Sequence, residues 1–334
     1  MKRFLALSLT LVMALSLAAC GGKSEEKASG ENEPAASGAD DGYLISVILK
    51  TTSSEYWQYI IAGAEAYEKD HPNVTVEVKG PPSETSYDEQ QNMIETDMNN
   101  ADIDGYVIAP LQSDMVATMI RGQTKPIIAL DTKIDAPEVL SFVGTGNEAA
   151  AKMGGEAAVA LAKERGWTEI NCIEIAGVQG DSTNTARMDG YRAGVTEAGG
   201  TFLDDEIQYA NALADQAVTC MEAIMQNHPE GVAIICANNE DMAAAARAAA
   251  GNEAYKNTVF LGFDGCQAGC NAILDGQLTL DVCQQGFDMA YKAVDACVRA
   301  LEGETLEAFI DSGSMIMDES NAQERLDQLK SYMG

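Results

Sequence analysis

Residues 44–57 read LISVILKTTSSEYW. Leu44 to Leu49 are mostly apolar and rich in β-branched side chains. A short unbroken apolar run bounded by polar residues predicts a strand buried on both faces of a parallel sheet. Lys50 follows at its carboxyl end, and a turn of hydroxyl residues ending in Ser54 leads into a helix with Tyr56 and Trp57 in its first turn. In open α/β sheets ligands bind beyond the carboxyl ends of the strands. A cation, a hydroxyl and two aromatic rings therefore share one rim.

The same alternation runs on through the chain. Strands are expected at VTVEV (74–78), GYVIAP (105–110), PIIALD (126–131) and VLSFVG (139–144), with helices between. A second series follows at TEINCIEIA (168–176), TFLDDEIQYA (201–210), VAIICAN (232–238), TVFLGFD (258–264) and LTLDVCQQ (278–285). Alternating strands and helices predict an α/β fold with parallel sheets. Both halves hold a strand ending in Asp, Asp131 in one and Asp264 in the other. Two such lobes leave a cleft between facing strand ends, the usual place for a small ligand.

The ends of the chain add a location. Lys2 and Arg3 precede an apolar run from Phe4 to Ala19, too short for a comfortable membrane span, and Leu17-Ala18-Ala19-Cys20-Gly21 closes it. This closing motif resembles the lipobox of bacterial lipoproteins, which implies a signal peptide over 1–20 and lipid on Cys20. Lipidation would hold the protein on the outer face of the bacterial cell membrane. Residues 21–42, rich in Gly, Ser, Ala and Glu, read as a flexible tether. With 52 acidic and 21 basic residues the formal charge is −31, which repels phosphate backbones and argues against nucleic-acid binding. Apart from Cys20, seven cysteines remain. There is no CxxC, and Cys266 and Cys270 lack a second ligand pair, so buried free thiols are expected and no metal.

Each predicted strand end brings a polar or aromatic group: Lys50 with Tyr56 and Trp57; Asp131; Asn239; Asp264; Gln284. Arg187 joins them from the DSTNTARMDGY segment. Carboxylates accept hydrogen bonds from hydroxyls, Arg and Lys donate them, Asn and Gln do both, and an aromatic face covers the C–H side of a sugar ring. That set suits a small neutral polyhydroxylated ligand. Asp131 is the natural partner for Lys50, since a lysine ending a buried strand needs one.

The phrases VILKTTSSEYW, VIAPLQSDMV, IIALDTKID, TARMDGYRAG, HPEGVAIICANNEDMA, FLGFDG and VCQQ occur in that order from about Tyr43 to near the C-terminus. Together they resemble the ribose-binding class of bacterial periplasmic sugar-binding proteins. ILKT, PPSETSYDEQ and LDTKID are closer to its D-allose-binding branch. The resemblance implies the periplasmic binding protein type I fold, two Rossmann-like parallel-sheet lobes joined by a three-crossover hinge. The lobes would be 43–145 plus 285–311, and 146–284 plus 312–334. It carries sugar contacts over to Lys50, Ser54, Tyr56, Trp57, Asp131, Arg187, Asn239, Asp264 and Gln284. Ser54-Glu55 replaces the class's usual Asn-Pro, Thr132 stands where ribose receptors commonly have Arg, and Asn211-Ala212 lies where an aromatic often stacks. The implied function is that of a monomeric receptor delivering a monosaccharide to the transmembrane subunits of an ABC permease. The alternative is a signalling receptor that presents a furanose or cyclitol to a sensor kinase or chemoreceptor.

Enzyme readings fare worse, and neither catalysis nor a cofactor is expected. Gly144-Thr145-Gly146-Asn147-Glu148-Ala149 fits GxGxxA, but the acidic residue due about twenty positions later should end a strand. Glu164 lies in helical LAKERG instead. There is no GxSxG and no HExxH, and the only histidines, His71 and His228, precede prolines at helix ends. Asp131 and Asp264 could pair as glycosidase carboxylates. Lys50 and Arg187 beside them would instead favour two ionised acceptors.

Overall fold

The computed structural model describes residues 42–333. The leader 1–20 with Cys20, and the tether as far as Asp41, lie outside the described residues. The first sheet is built from β1 (Tyr43–Ile48), β2 (Val74–Lys79), β3 (Gly105–Ile108), β4 (Ile127–Leu130) and β5 (Val139–Gly144). Between them run α1 (Glu55–Asp70), α2 (Tyr87–Met98) and α3 (Ser113–Met119). β1 lies inside the sheet, parallel to β2 on one side and β3 on the other. Ile45, Val47 and Ile48 are fully buried, as an unbroken apolar run requires when helices cover both faces. α1 turns Trp57, Ile60, Ala64 and Tyr67 toward this sheet, and His71 caps its end with its ring stacked on Tyr67.

The second sheet begins after α4 (Asn147–Glu164) with β6 (Asn171–Ala176), followed by α5 (Ser182–Glu197). The single strand expected over 201–210 is a correction. The chain forms β7 (Thr201–Phe202), one turn of 3-10 helix over Asp204–Glu206, and then β8 (Gln208–Tyr209). β7 and β8 pair with opposite ends of β6 and skip its middle. The cause is the run Asp204-Asp205-Glu206. Three successive acids cannot alternate into the core, so they bulge toward water, where Asp204 accepts a hydrogen bond from Arg192 at 2.6 Å.

Next come α6 (Ala214–Asn227), β9 (Ile234–Ala237), α7 (Glu240–Ala249), β10 (Val259–Asp264), α8 (Gln267–Leu274) and β11 (Leu280–Gln284). The chain closes with α9 (Gly286–Leu301), β12 (Phe309–Asp311), β13 (Ser314–Met317) and α10 (Ala322–Met333). The sheets have strand orders β12-β5-β4-β3-β1-β2 and β13-β11-β10-β9-β6-β7, and every pair is parallel except β11 with β13. This is the expected pair of α/β lobes.

Three passages join the sheets. β5 leads to α4, which packs on the second sheet; β11 leads to α9, which packs on the first; β12 leads directly to β13. The GxGxxA segment is therefore a passage between sheets and not the turn of a βαβ unit within one. α4 and α5 pack closely because their contact is built on glycine: a Cβ on Gly190 would sit 2.2 Å from the Glu148 carbonyl oxygen. That approach brings Asn147 on α4 within reach of Arg187 on α5. Among the described residues all seven cysteines are free, and only Cys220 is not buried.

Candidate functional site

All nine residues singled out in the sequence line one cavity of about 390 Å³ between the two sheets. That volume falls within the roughly 300–1,000 Å³ of small-molecule sites. The cavity lies at the carboxyl ends of the strands, where β1 delivers Lys50, β4 Asp131, β10 Asp264 and β11 Gln284. Both strand-end aspartates adopt positive φ, 62° for Asp131 and 129° for Asp264. This backbone region is sparsely populated by residues other than glycine, and such strain gathers at functional sites.

On the first-sheet side Lys50 Nζ lies 3.3 Å from Asp131 Oδ2, the pairing expected from the sequence. The Thr132 hydroxyl donates to the same oxygen at 2.8 Å, and the Tyr56 hydroxyl donates to Oδ1 at 2.9 Å. A carboxylate has about four acceptor positions, so Asp131 keeps room for one more donor. Ser54 sits exposed at the amino end of α1, and its hydroxyl does not cap the helix. Trp57 is only 2% exposed, with its ring embedded in the core beneath the cleft. Its Nε1 donates to Glu84 Oε1 at 2.8 Å, which fixes the ring.

The second-sheet side is built around Arg187. Its Nε donates to Asn147 Oδ1 at 2.9 Å and one Nη to the Asn238 carbonyl at 2.8 Å. Its guanidinium carbon lies 3.7 Å from the centroid of the Phe263 ring, and the same Nη lies 3.5 Å from Asp264 Oδ1. Asn184 and Asn238 brace this arrangement: Asn238 Nδ2 and the Gly177 N–H both donate to Asn184 Oδ1. Gln284 links the two sides. Its Nε2 donates to Asp264 Oδ1 at 2.7 Å, and its Oε1 accepts from the Thr145 hydroxyl at 2.8 Å. Asp264 Oδ2 accepts no hydrogen bond from the described residues and stays available. Asn239 is on the wall, but its Oδ1 is committed to capping α7 through the Met242 N–H.

The expectation of two ionised acceptors fails at Asp264, whose carboxyl is pushed up to about 7. Burial is the main cause; Asp281 and Asp131 add to it, and Arg187 and the Gln284 amide only partly reverse it. Behind Asp264 lies a second acidic pair that the sequence did not announce. Glu240 Oε2 accepts the Cys266 N–H and Asp281 Oδ2 the Gly265 N–H, both at 3.0 Å, and both side chains are buried. Burial and the Asp281 charge push the Glu240 carboxyl well above its ordinary value.

Glu55, Glu84, Asp181, Asn184, Asn238 and Glu240 also line the cavity, and the sequence reading did not number them among the ligand contacts. Asn184 had a signal, since it lies three residues before Arg187 and so on the same helical face. Glu84 had none. It sits in the loop ahead of α2, and only the folded chain brings it to Trp57.

Residues 45–305 match the family described as "Periplasmic binding protein domain". A ribose import binding protein of Bacillus subtilis is 23% identical over 320 residues, covering 93% of this chain and 97% of its own. The D-allose-binding periplasmic protein of Escherichia coli is 29% identical over 270 residues, covering 76% and 83%. Among solved structures, a solute binding protein from Actinobacillus succinogenes with bound D-allose aligns with a TM-score of 0.73 at 20% identity, covering 84% of this chain and 99% of its own. One from Agrobacterium vitis with bound D-fucose gives 0.70 at 25% identity, covering 83% and 96%. Fold, strand-end cleft and full-length relatives agree, and the chain belongs to the periplasmic binding protein family, a family of solute receptors and not of enzymes.

Proposed function

We infer that the protein is the extracytoplasmic sugar receptor of an ABC importer, with an uncharged aldose of the ribose or allose kind as ligand. The observation that carries this reading is the pair of strand-end aspartates, each with a cation beside it, on opposite sides of one cleft. Hydroxyls can donate to Asp131 and Asp264 and accept from Lys50 and Arg187, whereas a free anion would meet carboxylates already holding those cations. The names of the relatives support a sugar of this class. In this reading Lys50, Ser54, Tyr56, Trp57, Asp131, Arg187, Asn239, Asp264 and Gln284 hold the ligand. The lobes are 43–145 with 285–311 and 146–284 with 312–334. A lipid on Cys20 and the 21–42 tether keep the receptor at the outer face of the cell membrane beside its permease.

A thermal-shift screen of the tetherless protein against pentoses, hexoses, rare aldoses and inositol tests it. A saturating ligand at about a hundredfold over its Kd adds about 2.7 kcal/mol to stability, an easily seen shift. No shift with any polyol defeats the sugar assignment. Lys50→Ala should weaken binding of the best sugar by at least tenfold, the scale of losing a charged hydrogen-bond donor. Unchanged affinity would remove Lys50 from the ligand set.

A further inference from the structure

Glu55 is the first residue of α1, which packs on the first sheet together with α9. Its Oε1 accepts the backbone N–H of Gln267 at 2.8 Å, across 212 residues of sequence. Gln267 is the first residue of α8, whose Cys270 and Ile273 pack into the core of the second sheet. Tyr59, one turn along α1, completes the contact. Its hydroxyl donates to the same Glu55 oxygen, and Gln267 Nε2 lies 3.2 Å from the Tyr59 oxygen. The N–H groups of a helix's first turn have no intrahelical acceptor, and the helix dipole is positive there. A carboxylate from the opposite lobe satisfies both conditions with a charge-assisted hydrogen bond.

We propose that Glu55 is a closure latch, an affinity-setting residue that acts through the amino end of α8 and not through the ligand. The latch deepens the sugar-receptor reading and rests on it only for its ligand readout. A contact made in the closed state alone multiplies the closed-to-open ratio. With open and closed states near balance in the ligand-free parent, a tenfold loss in that ratio empties most of the closed state, and a ligand that needs it binds about fivefold more weakly. Removing the latch therefore changes how tightly every sugar binds and leaves their ranking alone.

Two variants break the contact from opposite sides. Glu55→Gln keeps the shape and deletes the charge. Gln267→Pro deletes the N–H while leaving Glu55 in place. Proline is tolerated at the first position of a helix, and Cys266 before it is already extended at φ −79° and ψ 177°, as a residue preceding proline must be. Gln267→Ala, which keeps the N–H, is the control. Each breaking variant should lower the closed-to-open ratio about tenfold, the scale of a partly exposed hydrogen bond to a charged group, and so raise the Kd of the best sugar about fivefold. The double variant should be no weaker than about twofold beyond either single, the ranking of sugars should hold, and Gln267→Ala should stay within about twofold of the parent.

Small-angle scattering of the ligand-free proteins gives a readout that needs no sugar. Both breaking variants should show a larger radius of gyration than the parent. Gln267→Pro with the parent's Kd overturns the latch. So does a reordered sugar ranking in Glu55→Gln alone, which would place Glu55 on the ligand. If no sugar binds the parent, the sugar reading falls, and identical scattering from parent and variants then overturns the latch independently.

Discussion

At Asp264 burial at the end of β10 works against the positive charge of Arg187, and the balance leaves the carboxyl near 7. A ligand hydroxyl that donates to Asp264 favours the carboxylate, so the complex holds fewer protons than the free protein and affinity rises with pH. For one group titrating near 7, Kd should fall about tenfold between pH 6 and pH 8. Asp264→Asn, which tolerates positive φ as Asp does, should flatten that profile and cost about 1.5–3 kcal/mol of binding at pH 8. Calorimetric titration at pH 6, 7 and 8 reads both effects, and a parent Kd independent of pH would remove Asp264 as the ligand's acceptor. Lys50 and Asp131 were legible as a pair because a lysine ending a buried strand demands a partner. The raised Asp264 was not, because its cause includes Asp281 on the neighbouring strand, and strand adjacency cannot be read from one segment at a time.

Strand β6 shows where periodicity succeeds and where it stops. NCIEIA was legible as a strand, yet Glu174 in its middle is fully buried, and both its oxygens lack a partner among the described residues. Burial pushes its carboxyl up to about 8. In the unfolded chain the same group titrates near its ordinary value, so between about pH 5 and pH 8 the native state binds the extra proton. Stability must therefore fall as pH rises through that window, by on the order of 3 kcal/mol for this group. Asp264 contributes with the same sign, so the comparison has to be made between variants. Urea unfolding at pH 5 and pH 8 should show a shallower pH dependence in Glu174→Gln than in the parent. Equal slopes would mean that Glu174 is solvated in solution. Next to it, the misread 201–210 segment failed for a related reason: an apolar run with three acids in its middle looks continuous until its partner strand fixes which residues can face inward.

On the scale of the whole molecule, the two α/β sheets were legible because each half of the sequence repeats a strand ending in a polar residue before one ending in Asp. What ties the strand passages together was not, because it consists of polar contacts between remote segments. Thr145, Gln284 and Ser312 lie on the three passages between sheets, and each is almost fully buried. The Thr145 hydroxyl donates to Gln284 Oε1 at 2.8 Å and lies 3.4 Å from the Ser312 hydroxyl. Gln284 in turn holds Asp264. The hinge and the ligand site thus share one hydrogen-bonded residue. Thr145→Val keeps the shape and deletes the donor, leaving Gln284 Oε1 with only the Tyr56 hydroxyl at 3.5 Å. An unsatisfied buried acceptor costs about 1–3 kcal/mol, so the urea midpoint should drop accordingly. If the passages act as one fastening, affinity should weaken too, although Thr145 is absent from the cavity wall. Loss of stability with unchanged Kd would confine Thr145 to holding the fold. Loss of both, with the ranking of sugars preserved, would show that the strand passages set how readily the lobes close.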